Sequence, residues 1–144
     1  MFKLPPDDRI SSWANLRAQL ETCEDPFQSV IDFWRDTPYV PYNRSVDQYN
    51  PKSWPTPWEI IDENQYDDFT KALMIGYTIK FTNRFKNSVI IVRTLIDKDK
   101  KTCYNVVSID EEWVLNFKDN EPMLFKNIPD SFSVENIIEL SSSW

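Results

Sequence analysis

The sequence predicts an α+β protein: N-terminal short helices and an extended arm rich in Pro, Trp and Tyr, then a central buried helix packed on a small antiparallel β-meander. Three observations point there. Eight of the ten prolines fall within residues 1–58. The stretch around Phe69, Leu73 and Ile79 is apolar on most of a helical circumference. From Ser88 onward, short β-branched runs alternate with charged turns. A length of 144 residues suits about one domain, with residues 1–58 carrying the helices and arm and 59–144 the helix and sheet, one compact domain overall.

The N-terminal half cannot be one long element, because each proline removes a donor and restricts the residue before it. Ser11 or Ser12 is expected to cap a helix running to about Cys23, with Trp13, Leu16 and Leu20 on its core face. Asp25 followed by Pro26 reads as an N-cap with a first-turn proline. It opens a helix in which Phe27, Val30, Ile31 and Trp34 follow the i, i+3, i+4, i+7 pattern. The next segment, DTPYVPYNRSVDQYNPKSWP, has no periodicity and is long for a connection inside a compact domain, which suits a surface-wrapping or docking role.

Residues 54–59, WPTPWE, then form a corner. Thr56 is an N-cap, Pro57 the first helical residue and Glu59 the return acid of a capping box. Trp54 and Trp58 flank it and are expected to clamp the arm, whose direction of departure the corner fixes. After a short helix to about Asp62, acidic Asp67 and Asp68 favour the positive end of a helix predicted from about Tyr66 to Phe85. The chain's only glycine, Gly76, lies inside it. A glycine there marks either close approach by a strand of the sheet or a tolerated helix weakness.

SVIIVRTLI, TCYNVVSI, WVLNF and PMLFK read as strands separated by DKDKK, DEE and KDNE. The first is apolar enough to be covered on both faces, whereas Trp113, Leu115 and Phe117 alternate with Val114 and Asn116 as in a half-buried strand. SFSVENIIELSSSW is a terminal helix or strand with a polar tail.

Composition excludes several chemistries. The chain has no histidine, hence no imidazole base or ligand. With one glycine it cannot write a Rossmann, P-loop or kinase phosphate loop. A net charge of −7 repels a polynucleotide. DKDK at 97–100 lacks the glycine, length and closing glutamate of a calcium loop. The carboxylates cluster at helix starts and turns, where solvation and dipoles account for them. No cofactor or metal is expected. The absence of an apolar N-terminal stretch points to a reduced, soluble, intracellular chain in which Cys23 and Cys103 are buried free thiols, and no membrane association is expected.

A helix start facing an antiparallel sheet, with CYNVVSID and EWVLNF as second and third strands, resembles the core of transglutaminase-like and papain-like enzymes. The resemblance implies a cysteine at the helix start, a histidine on the second strand and an acid or amide on the third. Here those places hold Gln65, Tyr66 and Asp67, then Tyr104 and Asn105, then Asn116, so it implies a catalytically dead scaffold over residues 60–120. Separately, YNPKSWPTPWEIIDEN followed by a tyrosine-bearing apolar helix is similar to small proteins of contractile-tailed bacteriophages. That likeness implies a place in a virion or host cytoplasm.

The functional expectation is a non-enzymatic structural or assembly protein of a tailed phage particle. It would bind protein partners, possibly copies of itself, through Tyr39, Tyr42, Tyr49, Trp54, Trp58 and Trp144, residue types favoured at binding hot spots. The alternatives are an acidic regulator that binds a host or phage protein, and a dead transglutaminase-like scaffold.

Overall fold

A computed structural model describes residues 1–118 and 120–141. Helices α1 (Pro6–Leu20), α2 (Pro26–Trp34), α3 (Pro57–Glu63) and α4 (Asp68–Lys80) precede five strands: β1 (Ile90–Asp97), β2 (Thr102–Ile109), β3 (Trp113–Leu115), β4 (Met123–Leu124) and β5 (Phe132–Glu139). The sheet is antiparallel in the order β4-β3-β2-β1-β5, so the terminal segment is a strand that returns to the free edge of β1.

The first helix begins earlier than its serines suggest. Pro6 at the first position and Asp7 and Asp8 in the first turn start it without any side-chain cap. The later starts follow the sequence signals. Asp25 accepts from Gln28 N, and Thr56 and Glu59 form both halves of the capping box. Helix α3 ends on Asn64 in the left-handed region. Its last carbonyls are met by Arg9 of α1, which is buried: Nε donates to Ile61 O at 3.1 Å and Nη2 to Asp62 O at 2.9 Å.

Helix α4 is shorter than predicted at both ends: Asp67 is its N-cap and accepts from Thr70 N at 2.7 Å, and the helix stops at Lys80 with Phe81 as its C-cap. From Phe69 to Ile79 every residue except Lys71 is buried, with α1 and α2 on one side and β1 and β2 on the other. A Cβ added to Gly76 would lie 2.5 Å from Leu140 Cδ1, with Ile90 and Val107 of the sheet at 3.5 and 3.6 Å. Close approach therefore explains the glycine.

The helices' aromatic side chains converge on one hydroxyl. Trp13 Nε1 of α1 donates to Thr78 Oγ1 at 2.9 Å, and Trp34 Nε1 of α2 donates to the same oxygen at 3.0 Å. Thr78 in turn donates to Met74 O at 2.6 Å. All three side chains are fully buried, so two indole N–H groups depend on this single acceptor.

On the opposite face of the sheet, a smaller cluster forms from Leu95, Val106 and Val114 with Tyr104, Phe117 and Phe132. Phe117 was expected to share a face with Trp113 and Leu115. The strand instead ends at Leu115, and Asn116 at φ 68° breaks the alternation, sending Phe117 to the outer cluster. Both cysteines are free, but Cys23 is half-buried and Cys103 exposed, contrary to the expected burial. Among the described residues no helix is long and apolar enough to cross a membrane.

Thr78→Val removes the shared acceptor at nearly constant volume. It is expected to destabilise the protein by about 2–5 kcal/mol in urea unfolding, while Thr78→Ser, which keeps the hydroxyl, costs about 1 kcal/mol. A second expectation concerns acid. Glu21 accepts the backbone N–H groups of Asn83 and Arg84 at 2.8 Å each, and these bonds hold its carboxyl below the usual glutamate value. A depressed folded pKa contributes stability that is complete above the unfolded value and lost as pH falls through the folded one. Glu21→Gln should therefore flatten the acid-side decline of the urea midpoint between about pH 5 and pH 3.

Candidate functional site

Asp67 and Asp68 stand next to each other in the chain and serve opposite sides of the molecule. Besides capping α4, Asp67 accepts Asn43 N at 3.0 Å. Asn43 is buried. It donates through Nδ2 to Gln65 O at 2.9 Å and accepts Ser45 N at 2.9 Å. The extended arm is thus fastened to the start of the central helix.

Asp68, the first residue of α4, faces the sheet. Its carboxylate accepts both the backbone N–H of Asn105 at 3.2 Å and the side-chain Nδ2 at 3.0 Å. Asn105 Oδ1 accepts the Thr94 hydroxyl at 2.8 Å, and Asn105 O accepts Asn116 Nδ2 at 2.8 Å. The physical reason is the short third strand. Pairing between β2 and β3 covers only Val107, Ser108 and Ile109, so the Asn105 main chain has no ladder partner on that side. Two side chains, from the helix start and from the residue after β3, take the ladder's place.

The helix start, β2 and the residue after β3 are therefore brought together through Asp68, Asn105 and Asn116. Asn105 lies on β2 as expected, whereas Asn116 follows β3 instead of lying within it, at φ 68°. At the helix start the residue is Asp68 rather than Gln65, Tyr66 or Asp67. The sequence carried a signal for this: in D-D-F-T the first aspartate is the cap, which makes the second the first helical residue. Tyr66 instead is buried among Phe2 and Trp34, and burial pushes its phenol well above the usual tyrosine value.

No thiol or imidazole occupies any of the three positions. The thiol of Cys103 lies two residues from Asn105 on β2. Partial burial and the nearby Asp68 and Glu135 carboxylates push its pKa up, so it holds its proton at neutral pH and is a poor nucleophile. Among the described residues no group of three or more Cys, Asp or Glu side chains could hold a metal ion.

The aromatic residues expected to bind partners divide. Tyr39, Tyr42 and Tyr49 are 71, 67 and 61 % exposed. The backbone carrying them is held by a parallel bridge between Tyr39 and Tyr66, by Asn43, by burial of Val46, and by Asn136 Nδ2 donating to Gln48 O at 3.0 Å. The arm lies folded on its own domain. Trp54 is a correction: it is buried against Phe69, with its indole N–H donating to Asp47 O, and it anchors the arm from inside. Trp58 packs on Trp13 and Phe81 and stays 38 % exposed. The Trp-Pro-Thr-Pro-Trp corner therefore does not direct an arm away from the domain. Trp144 lies outside the described residues.

No family model matches the sequence, and no curated protein matches it either. Among solved structures, the chain is similar to calcium-bound LapG of Legionella pneumophila, with a TM-score of 0.66 at 17 % identity over 92 % of this chain and 75 % of that one. At that identity the likeness is one of fold, to a transglutaminase-like core.

Asp68→Ala leaves the Asn105 backbone donor without its acceptor and is expected to cost about 1–3 kcal/mol of stability. Asp68→Asn, which keeps an acceptor oxygen, should cost less. Urea unfolding of the two variants checks the order.

Proposed function

We propose that this chain is a non-enzymatic protein-binding component that uses a transglutaminase-like fold as a scaffold and presents Tyr39, Tyr42 and Tyr49 to a partner. The observation that carries the reading is the combination of exposure and fixation in the arm. Three tyrosines stand in solvent on backbone fastened at Tyr39, Asn43, Val46 and Gln48. A large aromatic side chain on pre-ordered backbone loses little conformational freedom on docking, so more of its contact energy is kept as affinity.

The Asp68–Asn105–Asn116 row supports the non-catalytic half of the proposal. Acyl transfer by this arrangement needs an activated nucleophile with a base beside it. The amides of Asn105 and Asn116 cannot accept a proton at neutral pH, and Asp68 is engaged in holding β2 to the helix start. The setting we propose, assembly or structure of a tailed phage particle, rests on the sequence resemblance through YNPKSWPTPWEIIDEN alone.

The test places a photoreactive phenylalanine at 39, 42 or 49 in the full chain and irradiates it in the cells that produce it. A discrete crosslinked partner from these three positions, absent when the same probe replaces Lys98 on the β1–β2 turn, is the expected outcome. Equal labelling from all four positions would overturn the assignment of the arm. Light scattering of the purified chain distinguishes a second copy from a different protein. If the partner is the chain itself, the mass exceeds 17.2 kDa and returns to it in the Tyr39→Ser/Tyr42→Ser/Tyr49→Ser variant.

A further inference from the structure

A second surface has a different chemistry. Between α1, the start of α3 and the turn after α4 lies an open cavity of about 360 Å³, lined by Arg17, Trp58, Lys80, Phe81, Asn83 and Lys86 together with Thr82. Three of these side chains are cationic and none is acidic, in a chain whose net charge is −7. None of the tyrosines of the arm lines it.

The cavity is built rather than incidental. Arg17 lies with its guanidinium carbon 4.2 Å from the Trp13 ring centroid, and its Nε is buried with no hydrogen-bond partner among the described residues. Burial presses on the charged form of this guanidinium, and no ion pair among the described residues includes Arg17, Lys80 or Lys86. Lys80 Nζ donates to Lys86 O at 2.9 Å and Ser88 O at 2.7 Å, closing the turn that forms one wall and leaving a third donor. Glu21, an acid whose field Lys86 feels, is directed to the amides of Asn83 and Arg84 and fixes the same wall from behind. On the other wall Trp58 stacks on Phe81, centroids 5.8 Å apart and planes 21° from parallel, and so offers a fixed indole with solvent-facing surface.

We propose that this cavity binds a small phosphate-bearing ligand with a planar ring, of the nucleoside monophosphate class. The ring lies against Trp58, and the phosphate is held by Arg17, Lys80 and Lys86. Arg17 lines the cavity, and no hydrogen bond among the described residues engages the terminal nitrogens of its planar guanidinium, which suits bidentate contact with phosphate oxygens. Three cations suit a dianion, since a monocarboxylate would leave two of them without a counter-charge. A polynucleotide is disfavoured by the repulsion of the remaining acidic surface. The volume is at the small end of ligand pockets, consistent with a single nucleotide rather than a dinucleotide. No glycine cradle is required, because side-chain cations replace the backbone donors of a phosphate loop.

Isothermal titration of the full chain with AMP, GMP, CMP and UMP tests the proposal, with adenosine and inorganic phosphate as part-ligands. At least one monophosphate should bind below about 1 mM, and adenosine and phosphate at least tenfold more weakly. Arg17→Gln and Lys86→Gln should each weaken binding about tenfold, while Lys98→Gln leaves it unchanged. Lys86 is exposed, so its variant reports binding without a folding defect. Absence of binding by all four monophosphates, or binding indifferent to both Arg17→Gln and Lys86→Gln, would overturn the assignment.

Discussion

The Thr78 hydroxyl is the polar contact on which the helical layer depends. Tryptophan brings a large apolar surface into a core, but its N–H must find an acceptor there. Trp13 and Trp34 come from different helices and meet one oxygen on a third. The bond from Thr78 to Met74 O ties that oxygen back to its own helix, so a rotation of α1 or α2 about α4 would break a buried hydrogen bond as well as disturb packing. Hydrophobic burial alone is non-directional and would tolerate such a rotation more readily. The shared acceptor turns a greasy interface into one with a fixed angle.

A fixed α4 in turn places its N-terminus. Asp67 and Asp68 then act as a branch point, one holding the arm through Asn43 and the other holding β2 through Asn105. At this junction a carboxylate and two amides hold the helix start, β2 and the residue after β3 together. The arrangement couples arm, helix and sheet mechanically. The cationic cavity lies at the other end of α4, on the turn that Glu21 and Lys80 close.

Local signals were read most faithfully where they involve residues close in sequence. The Asp25–Pro26 start, the Thr56–Glu59 box and the positions of the first three strands follow from short-range hydrogen bonding and side-chain period. The misreadings have physical causes. Serine caps were expected for α1, but proline with two aspartates stabilises a helix start as well. The alternation after Trp113 predicts a strand to Phe117, but a left-handed Asn116 ends it. Trp54 is of a residue type favoured at binding hot spots, but it is buried with its indole N–H donating to Asp47 O in its own chain. Lys80 and Lys86 lie six residues apart in an acid-free stretch, but Arg17 is more than sixty residues away in α1, so no single run announces the cavity.

The sequence by itself determined the fold class, the helix corner at Thr56, the apolar circumference of the central helix and the absence of any imidazole. These depend on residue type and spacing, or on the absence of histidine, and no tertiary arrangement alters them. Only the tertiary structure decided that the arm folds back, that Asp68 rather than its neighbours meets Asn105, and that Arg17 shares one cavity with Lys80 and Lys86. Each of those is a meeting of groups far apart in the chain, fixed by how α4 packs between the other helices and the sheet.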